Sequence, residues 1–203
     1  MQHVTARRGP KPNPDTRRKL LDAGVRMLHT GGYAATGVQD IVGAAAIPKG
    51  SFYNHFESKE AFGAAVVDAY FETREDNMRA LFTDTSMAPL DRLAAYFDRR
   101  IVACKKAGFA QGCLLGNLSL EVADHSAAMR ERIAGKFEVW TAFIEECIRE
   151  AKEEGAMQNP LPAPQLAQFV LNSWEGALVR MRTEKSATAL QIFKQVVFQS
   201  ILR

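Results

Sequence analysis

The sequence predicts an all-α protein of about nine helices. Glycine and proline divide the chain into segments in which apolar residues recur at helical spacing, as in the run that carries Leu20, Leu21, Val25 and Leu28. The sequence lacks runs that alternate apolar and polar residues over the length of a strand. With 203 residues, of which 47% are hydrophobic, the chain is long enough to bury a substantial core.

The helix boundaries follow from capping residues and from breakers. Asn13 is placed to cap a first helix that begins with Pro14, and Ser58 is placed to cap a longer helix that runs to Phe82. Glycine, proline and short polar clusters end the other segments. The predicted helical segments are about 14–31, a short one after Thr36, 48–56, 60–82, 88–107, 113–123, 126–154, 163–183 and 186–202.

The basic excess is concentrated at one end of the chain. The first 60 residues hold nine Lys and Arg against five Asp and Glu, whereas the remainder holds 17 against 18. A basic end is where a polyanion such as DNA would dock. Residues 1–14 are predicted to form a flexible basic arm, in which Arg7, Arg8 and Lys11 either stay solvated or reach along DNA.

Several classes of protein do not fit the composition. The three cysteines are an odd number in a long chain, which argues against a disulfide framework, and the four histidines lack zinc spacing. We therefore predict no metal and no cofactor. The N-terminal residues lack the apolar core of a secretory signal, and no apolar run is long enough to cross a bilayer. The protein is expected to be cytoplasmic.

The most informative stretch is 37–56, which is predicted to form two short helices with a tight connection at Ala46-Ile47. Apolar residues of both helices can share one underside, to which the second helix contributes Phe52 and Phe56. The outward side of the second helix is slim, hydroxylic, aromatic and amide-bearing, which suits a major groove. Its residues are Lys49, Gly50, Ser51, Tyr53, Asn54 and His55, of which Asn54 is open between a DNA contact and a bystander.

This stretch resembles the helix-turn-helix domain of the TetR family of transcriptional repressors. The resemblance covers about residues 15–65 and is carried by a capping Thr36, by the run PKGSFYNHF at 48–56 and by Lys59. It implies a three-helix DNA-binding domain over 15–57. The implied contacts are to the DNA backbone for Thr36 and Gln39, to the groove for Lys49, Gly50 and Ser51, and to phosphates for Tyr53, His55 and Lys59.

Two residues depart from the pattern that is usual in this family. Ala46 stands in the turn between the helices, where glycine is usual, and alanine in a left-handed conformation costs about 1 kcal/mol. Gly37 stands where serine is common and removes a hydroxyl that would hold a phosphate. A strained or slightly rearranged turn is therefore expected at Ala46.

A single helix-turn-helix makes few base contacts, and such modules normally bind two half-sites as dimers. The last two predicted helices carry apolar stripes that either close the monomer core or form a four-helix bundle with a second copy. The resemblance favours the bundle. The stripes are Ala167, Val170, Trp174, Ala177, Leu178 and Met181 on one helix and Leu190, Phe193, Val196, Val197 and Ile201 on the other.

Residues 58–203 are expected to form a helical domain for dimerisation and effector binding, because residues 88–203 alone exceed what dimerisation requires. The segment GFAQGCLLGNLSLE at 108–121 resembles TetR repressors that answer N-ethylmaleimide, reactive aldehydes or acrylate, and WEGALVR at 174–180 is closer to the acrylate type. The resemblance implies that Cys113 is the reactive residue and that arginine, at about Arg182, replaces its partner lysine. The predicted effector-binding residues are Cys113, Asn117, Trp174, Arg180 and Arg182.

Alternatives remain open at these residues. Cys113 opens a predicted helix whose free N–H groups would stabilise a thiolate, but a free cysteine is also a common buried packing residue, as we expect for Cys104 and Cys147. Arg180 and Arg182 either bind a small carboxylate or pair with surface acids such as Glu175 and Glu184.

The sequence favours a dimeric repressor that binds a palindromic operator and is released by a small effector. An enzyme that uses Cys113 as its nucleophile would need a base, and His125 is the only nearby histidine in the sequence. A DNA-binding protein without an effector would leave the large C-terminal part unexplained.

Overall fold

A computed structural model describes residues 13–203, and all the regular secondary structure within this range is helical. The prediction of an all-α fold with about nine helices is confirmed for this range, whereas Arg7, Arg8 and Lys11 lie outside the described residues. The helices are α1 Pro14–Gly31, α2 Val38–Ala44, α3 Lys49–Tyr53, α4 Lys59–Phe82, α5 Pro89–Lys106, α6 Leu114–Val122, α7 Ala127–Glu153, α8 Ala163–Glu184 and α9 Thr188–Val196.

The predicted caps form the predicted hydrogen bonds. The Asn13 side chain accepts from the N–H of Asp15 at 2.9 Å, and the Ser58 hydroxyl accepts from the N–H of Ala61 at 3.0 Å. Gly32 ends α1 with a φ of +82°, a conformation that favours glycine. The local chemistry of these residues therefore sets where α1 and α4 begin and where α1 ends.

The end of the last helix differs from the single segment that was predicted over 186–202. The chain leaves α9 in a π-helical turn, Val197–Ile201, in which the N–H of Leu202 donates to the carbonyl of Val197 at 2.8 Å. The loop before α8 holds this turn, because the Asn159 side chain donates to the carbonyl of Ile201 at 2.9 Å. The wide turn also buries Leu202 in the core.

One long helix, α4, connects the two parts of the fold. Helix α4 packs against both α1 and α7. Beyond it, α7 packs against α8, and α8 packs against α9. Phe62 near the start of α4 and Phe71 further along are both fully buried, in different parts of one continuous core. None of the helices in residues 13–203 is long and apolar enough to cross a membrane.

The predicted dimer stripes lie mostly inside the monomer. Their members on α8 are all buried, and on α9 Leu190 and Phe193 are buried as well, because Trp174 packs between Phe97 and Phe193. The exceptions are Val196, which is 46% exposed, and Ile201, which is half-buried. The interpretation of these stripes as the dimer surface was therefore wrong for most of their residues. A different set of apolar side chains faces outward from the two helices.

Candidate functional site

The helix-turn-helix is built over an aromatic cluster. The rings of Phe52 and Phe56 each pack on Phe62 of α4, with centroid separations of 5.2 and 4.9 Å. Phe52 and Ile41 are fully buried, and Val42 of α2 is almost fully buried. The prediction that Phe52 and Phe56 form the core beneath α3 is confirmed, and α4 is the element that holds α3 in place.

The turn between α2 and α3 adopts the strained conformation that the sequence predicts. Ala46 has a φ of +54°, in the left-handed region. The N–H of Ile47 donates to the carbonyl of Val42 at 2.9 Å, which closes the turn. The geometry of the usual glycine turn is therefore kept, and the methyl group of Ala46 is strained within it.

The outward face of α3 is available to a ligand. Lys49, Gly50 and Asn54 are exposed, and Tyr53 is 54% exposed with its ring edge against Phe52. A Cβ added at Gly50 would meet no atom within 4 Å, so the start of α3 is open. Ser51 and His55 are half-buried at the borders of this face. These six predicted residues thus share one surface patch.

Two of the other predicted DNA contacts have partners within the protein. Thr36 is only 4% exposed, and its hydroxyl donates to the carbonyl of Gly32 at 2.6 Å. It does not cap α2, which begins after Gly37. Lys59 donates from Nζ to the carbonyl of Tyr33 at 2.7 Å and lies over that ring. We therefore leave Thr36 out of the proposed interface and retain the exposed Gln39 and the half-buried Lys59.

Sequence reasoning missed a cation beside this patch. Arg17 of α1 is exposed, and its guanidinium lies 5.4 Å from the centre of the Phe56 ring. The excess of basic residues in the first 60 positions was the available signal. Only the fold shows that Arg17 lies at the C-terminal end of α3.

A second candidate site surrounds Cys113, which caps the start of α6. Its side chain is 4% exposed, and burial raises the pKa of the thiol to about 12, with the neighbouring Glu175 carboxylate adding to the rise. Hydrogen bonds from the N–H groups of Gly116 and Leu115 lower the pKa, as the helix start predicts, but by less. Desolvation therefore outweighs the helix N-terminus, and the resting side chain is a thiol.

Glu175, which the sequence suggested only as a surface acid that could pair with an arginine, instead lies in the cavity beside Cys113. Burial raises the pKa of its carboxyl to about 7, although a hydrogen bond with Cys113 and the charge of Arg100 oppose the rise. Its Oε1 is buried and has no hydrogen-bond partner among residues 13–203. The carboxyl lies against Gly116, where a Cβ would collide with it. Glycine at 116 therefore allows the carboxyl to reach the thiol.

These side chains border a cavity of about 600 Å³ between α6 and α8. Cys113, Asn117, Glu175 and Arg182 line it together, so the structure brings together three of the five predicted effector residues. Arg180 instead forms an ion pair with Glu184 on the surface, one of the two alternatives that the sequence left open. Trp174 is fully buried against Phe97 and Phe193 and does not line the cavity.

The wall of this cavity is bonded at both ends to the helix-turn-helix part of the chain. Just before α6, the carbonyl of Gly112 accepts from Nε2 of His29 in α1 at 2.8 Å. Near the end of α6, the Glu121 carboxylate accepts from the N–H of Ala34 at 2.9 Å. A displacement of α6 would therefore be felt directly by α1 and by the loop that leads into α2.

Among the described residues, no group of three or more His, Cys, Asp and Glu side chains is arranged to hold a metal ion. The polar groups that line the cavity are a thiol, a carboxyl, an amide and a guanidinium, together with the hydroxyl of Thr183 and the ammonium of Lys185.

Comparison with known proteins places this geometry in a family. Residues 20–66 match the model of bacterial regulatory proteins of the tetR family, and residues 89–197 match a tetracyclin repressor-like C-terminal domain. The repressor DhaR of Mycobacterium sp. strain GP1 is 39% identical over 186 residues, which cover 92% of each chain. The regulator AcuR of Cereibacter sphaeroides is 34% identical, with 92% of this chain and 87% of that protein covered.

A solved structure agrees with these sequence matches. The reduced form of NemR from E. coli superposes with a TM-score of 0.84 at 28% identity, covering 91% of this chain and 97% of the other. The N-terminal match covers α2 and α3, and the C-terminal match covers the cavity at Cys113. The chain belongs to the TetR family of DNA-binding transcriptional repressors, in which its relatives include DhaR, AcuR and NemR.

Proposed function

We propose that this protein is a homodimeric repressor that binds an inverted-repeat operator through α2 and α3 and is released when a small effector occupies the cavity at Cys113. The observation that carries the proposal is the anchoring of α6. Helix α6 forms one wall of the cavity. Hydrogen bonds at Gly112, just before this helix, and at Glu121, near its end, join it to the helix-turn-helix part. A ligand that binds better when α6 moves would shift the reading heads.

The effector that we propose is a small, electrophilic α,β-unsaturated carbonyl compound. In the addition, a bond forms between Sγ of Cys113 and the β-carbon of the effector, and the carbon–carbon double bond is consumed. The thiol proton passes to the Glu175 carboxylate and from there to the α-carbon, so no oxidant is needed. Because Glu175 lies beside the thiol and the pKa of its carboxyl is about 7, it is partly ionised near neutral pH.

The same cavity does not support the alternative of a cysteine-dependent enzyme. His125 lies beyond the opposite end of α6 from Cys113, and nine helical residues at 1.5 Å each separate the two by about 13 Å. His29 uses its Nε2 to bond the carbonyl of Gly112. Neither histidine is therefore placed to activate the thiol for repeated turnover.

The dimer that we propose uses the outward faces of α8 and α9. Ile192 and Val196 are 56% and 46% exposed, and they line a groove together with the small residues Gly176, Ala177 and Ala189. Small residues allow two helices to approach closely, as a bundle between two copies requires. Gly176 also lines the effector cavity, so the proposed interface and the cavity are neighbours.

DNA binding is tested by a gel-shift assay on the DNA that flanks the gene. We expect binding to an inverted repeat that weakens as salt rises. Lys49→Ala should reduce the slope of log affinity against log salt concentration by about one unit for each Lys49 side chain of the dimer that it removes. Lys105→Ala, at an exposed position of α5, is the matched control and should change neither the affinity for DNA nor its salt dependence. Absence of salt-sensitive binding to any inverted repeat in that DNA would contradict the proposal.

Effector sensing is tested by treating the protein–DNA complex with an unsaturated aldehyde, with N-ethylmaleimide and with acrylate. Release from DNA and a mass increase equal to one adduct per chain are expected for the wild type and absent for Cys113→Ser. Cys104→Ser is the control, because Cys104 is buried to a similar extent on α5. Equal release of wild type and Cys113→Ser would refute covalent sensing.

A further inference from the structure

Three arginines line a second cavity, which none of the sequence motifs or the proposed function uses. Arg74 comes from α4, and Arg99 and Arg100 come from α5, around a space of about 180 Å³. This cavity shares no lining residue with the one at Cys113. It is therefore a separate place on the molecule, between two helices that pack side by side.

No ion pair neutralises the positive charge of this cavity within the described part of the chain, and only the charge of Arg100 also acts on a carboxyl, that of Glu175. No acidic side chain lines the cavity, and none of the three arginines takes part in the ion pairs that residues 13–203 form. Arginines that converge without a carboxylate repel one another, and the repulsion is relieved when an anion binds between them.

The donors of Arg74 are held in place for a ligand. Its Nη1 donates to the carbonyl of Tyr70 at 2.8 Å, and its guanidinium carbon lies 3.5 Å from the centre of the Tyr70 ring. These contacts fix the side chain, yet its Nε is buried without a hydrogen-bond partner among the described residues. A buried donor without an acceptor is unfavourable, and an acceptor placed in the cavity would satisfy it.

Apart from the exposed Asn77 at its border, the remaining wall of the cavity is apolar. Met78 and Leu81 of α4 and the ring of Tyr96 of α5 line it, and all three are buried. A ligand that fills the space therefore meets guanidinium groups at one end and hydrocarbon at the other. Guanidinium groups bind carboxylates with paired, charge-assisted hydrogen bonds.

We propose that this cavity binds a small monocarboxylic acid, with its carboxylate on Arg74, Arg99 and Arg100 and a short hydrocarbon tail against Met78 and Leu81. The site is independent of Cys113 and requires no covalent step. It also spans α4 and α5, and α4 continues to Phe62 beneath the DNA-reading helix.

The test is isothermal titration calorimetry of the full chain with butyrate, butyramide and inorganic phosphate. Butyrate should bind saturably with one site per chain, whereas butyramide, which has the same shape without the charge, should bind at least about ten-fold more weakly. Equal binding of the amide would overturn the proposal. Tighter binding of phosphate than of butyrate would overturn the assignment of a carboxylate with a tail.

Variants locate the site. Arg100→Gln and Arg99→Gln should each weaken butyrate binding by about ten-fold or more. Arg99 is exposed, so its replacement leaves the fold undisturbed even if Arg100→Gln unfolds the chain. Arg79→Gln is the matched control, because Arg79 lies on α4 and pairs with Glu75 outside the cavity. Unchanged binding in Arg99→Gln and Arg100→Gln would refute the site.

The Cys113→Ser protein separates this proposal from the proposed effector function. It should bind butyrate with wild-type affinity, although it no longer forms an adduct. Loss of butyrate binding in Cys113→Ser would place the acid at the other cavity and contradict the arginine site.

Discussion

A buried carboxyl in contact with a buried thiol is the most unusual pair of residues in this protein. Burial and the neighbouring Glu175 carboxylate keep Cys113 protonated at rest, whereas burial alone raises the pKa of the Glu175 carboxyl to about 7 against the opposing hydrogen bond with Cys113. A buried thiol is protected from indiscriminate oxidation. The adduct that we propose would then require an electrophile small enough to enter the cavity, with Glu175 present to accept the proton.

The Glu175 carboxyl should make the stability of the protein depend on pH. Because burial raises the pKa of this carboxyl in the folded chain from its ordinary value of 4.5 to about 7, the folded chain binds more protons than the unfolded chain between these values. The free energy of unfolding should therefore fall as pH rises through this window, by roughly 1 to 3 kcal/mol. Chemical denaturation of wild type and Glu175→Gln at pH 5 and pH 8 measures this fall in the free energy of unfolding.

In that experiment Glu175→Gln should lose this part of the pH dependence and should be the more stable protein at pH 8. Glu184→Gln, on the surface of the same helix, is the control and should retain the wild-type slope. A Glu175→Gln protein with the slope of the wild type would show that the buried carboxyl is not the group responsible.

The strain at Ala46 gives a second prediction at a single residue. Its φ of +54° is costly for alanine and acceptable for glycine. Ala46→Gly should raise the free energy of unfolding by about 0.5 kcal/mol, as the relief of strain exceeds the added freedom of the unfolded chain. Ala44→Gly, at the end of α2, should lower it by a similar amount. A denaturation in which both variants lose stability would contradict a strained turn.

At the scale of helices, the sequence contained what was needed for their boundaries but not for their outward faces. Asn13 and Ser58 are local features that spacing and residue type alone predicted correctly, and the left-handed Ala46 was predicted from the resemblance to a family in which glycine is usual at that turn. The stripe around Trp174 has the same helical spacing whether a neighbouring helix of the monomer or of a partner covers it. Periodicity locates an apolar face and leaves open which element covers it.

The candidate sites show the same difference between features within one segment, which the sequence predicts, and contacts between distant segments, which it does not. The residues predicted to contact DNA from α3 lie within one short segment, and the structure places them on one surface patch. The partnership of Cys113 with Glu175 joins residues 62 positions apart, and the bond of His29 to Gly112 joins residues 83 positions apart. Such pairs arise from the packing of α1, α6 and α8, which no local pattern encodes.

The anchoring of α6 leads to a prediction at this scale. Glu121→Gln keeps the size of the side chain but weakens its charge-assisted bond to the N–H of Ala34. We expect Cys113 to form its adduct at the wild-type rate, as judged by mass spectrometry, while the modified protein remains on DNA longer in the gel-shift assay. Glu131→Gln, on the exposed surface of α7, should behave as the wild type. Slower adduct formation in Glu121→Gln would mean that the bond between Glu121 and Ala34 determines the shape of the cavity, and not the coupling between the cavity and DNA release.

The whole molecule combines two parts of different charge around α4. The described basic residues of α1 and α3 lie at the end that reads DNA, while the cavity-bearing part is close to neutral. Two such reading heads, held at the spacing of successive turns of the double helix, about 34 Å, bind far more tightly than one. The affinity for an operator therefore depends on how firmly the proposed dimer holds the heads.

Disruption of the proposed dimer should thus remove DNA binding without unfolding the chain. Ile192→Glu places a charge on the exposed, apolar face of α9, where burial against a second copy would be costly, but where water accepts it in the monomer. We expect the variant to sediment as a monomer with a wild-type circular dichroism spectrum and to lose operator binding by at least about a hundred-fold. Val102→Glu, at a similarly exposed position on α5, should remain dimeric and bind. If Ile192→Glu stays dimeric, the groove between α8 and α9 is not the interface, and the exposed Phe169 and Val179 on α8 are the next surface to test.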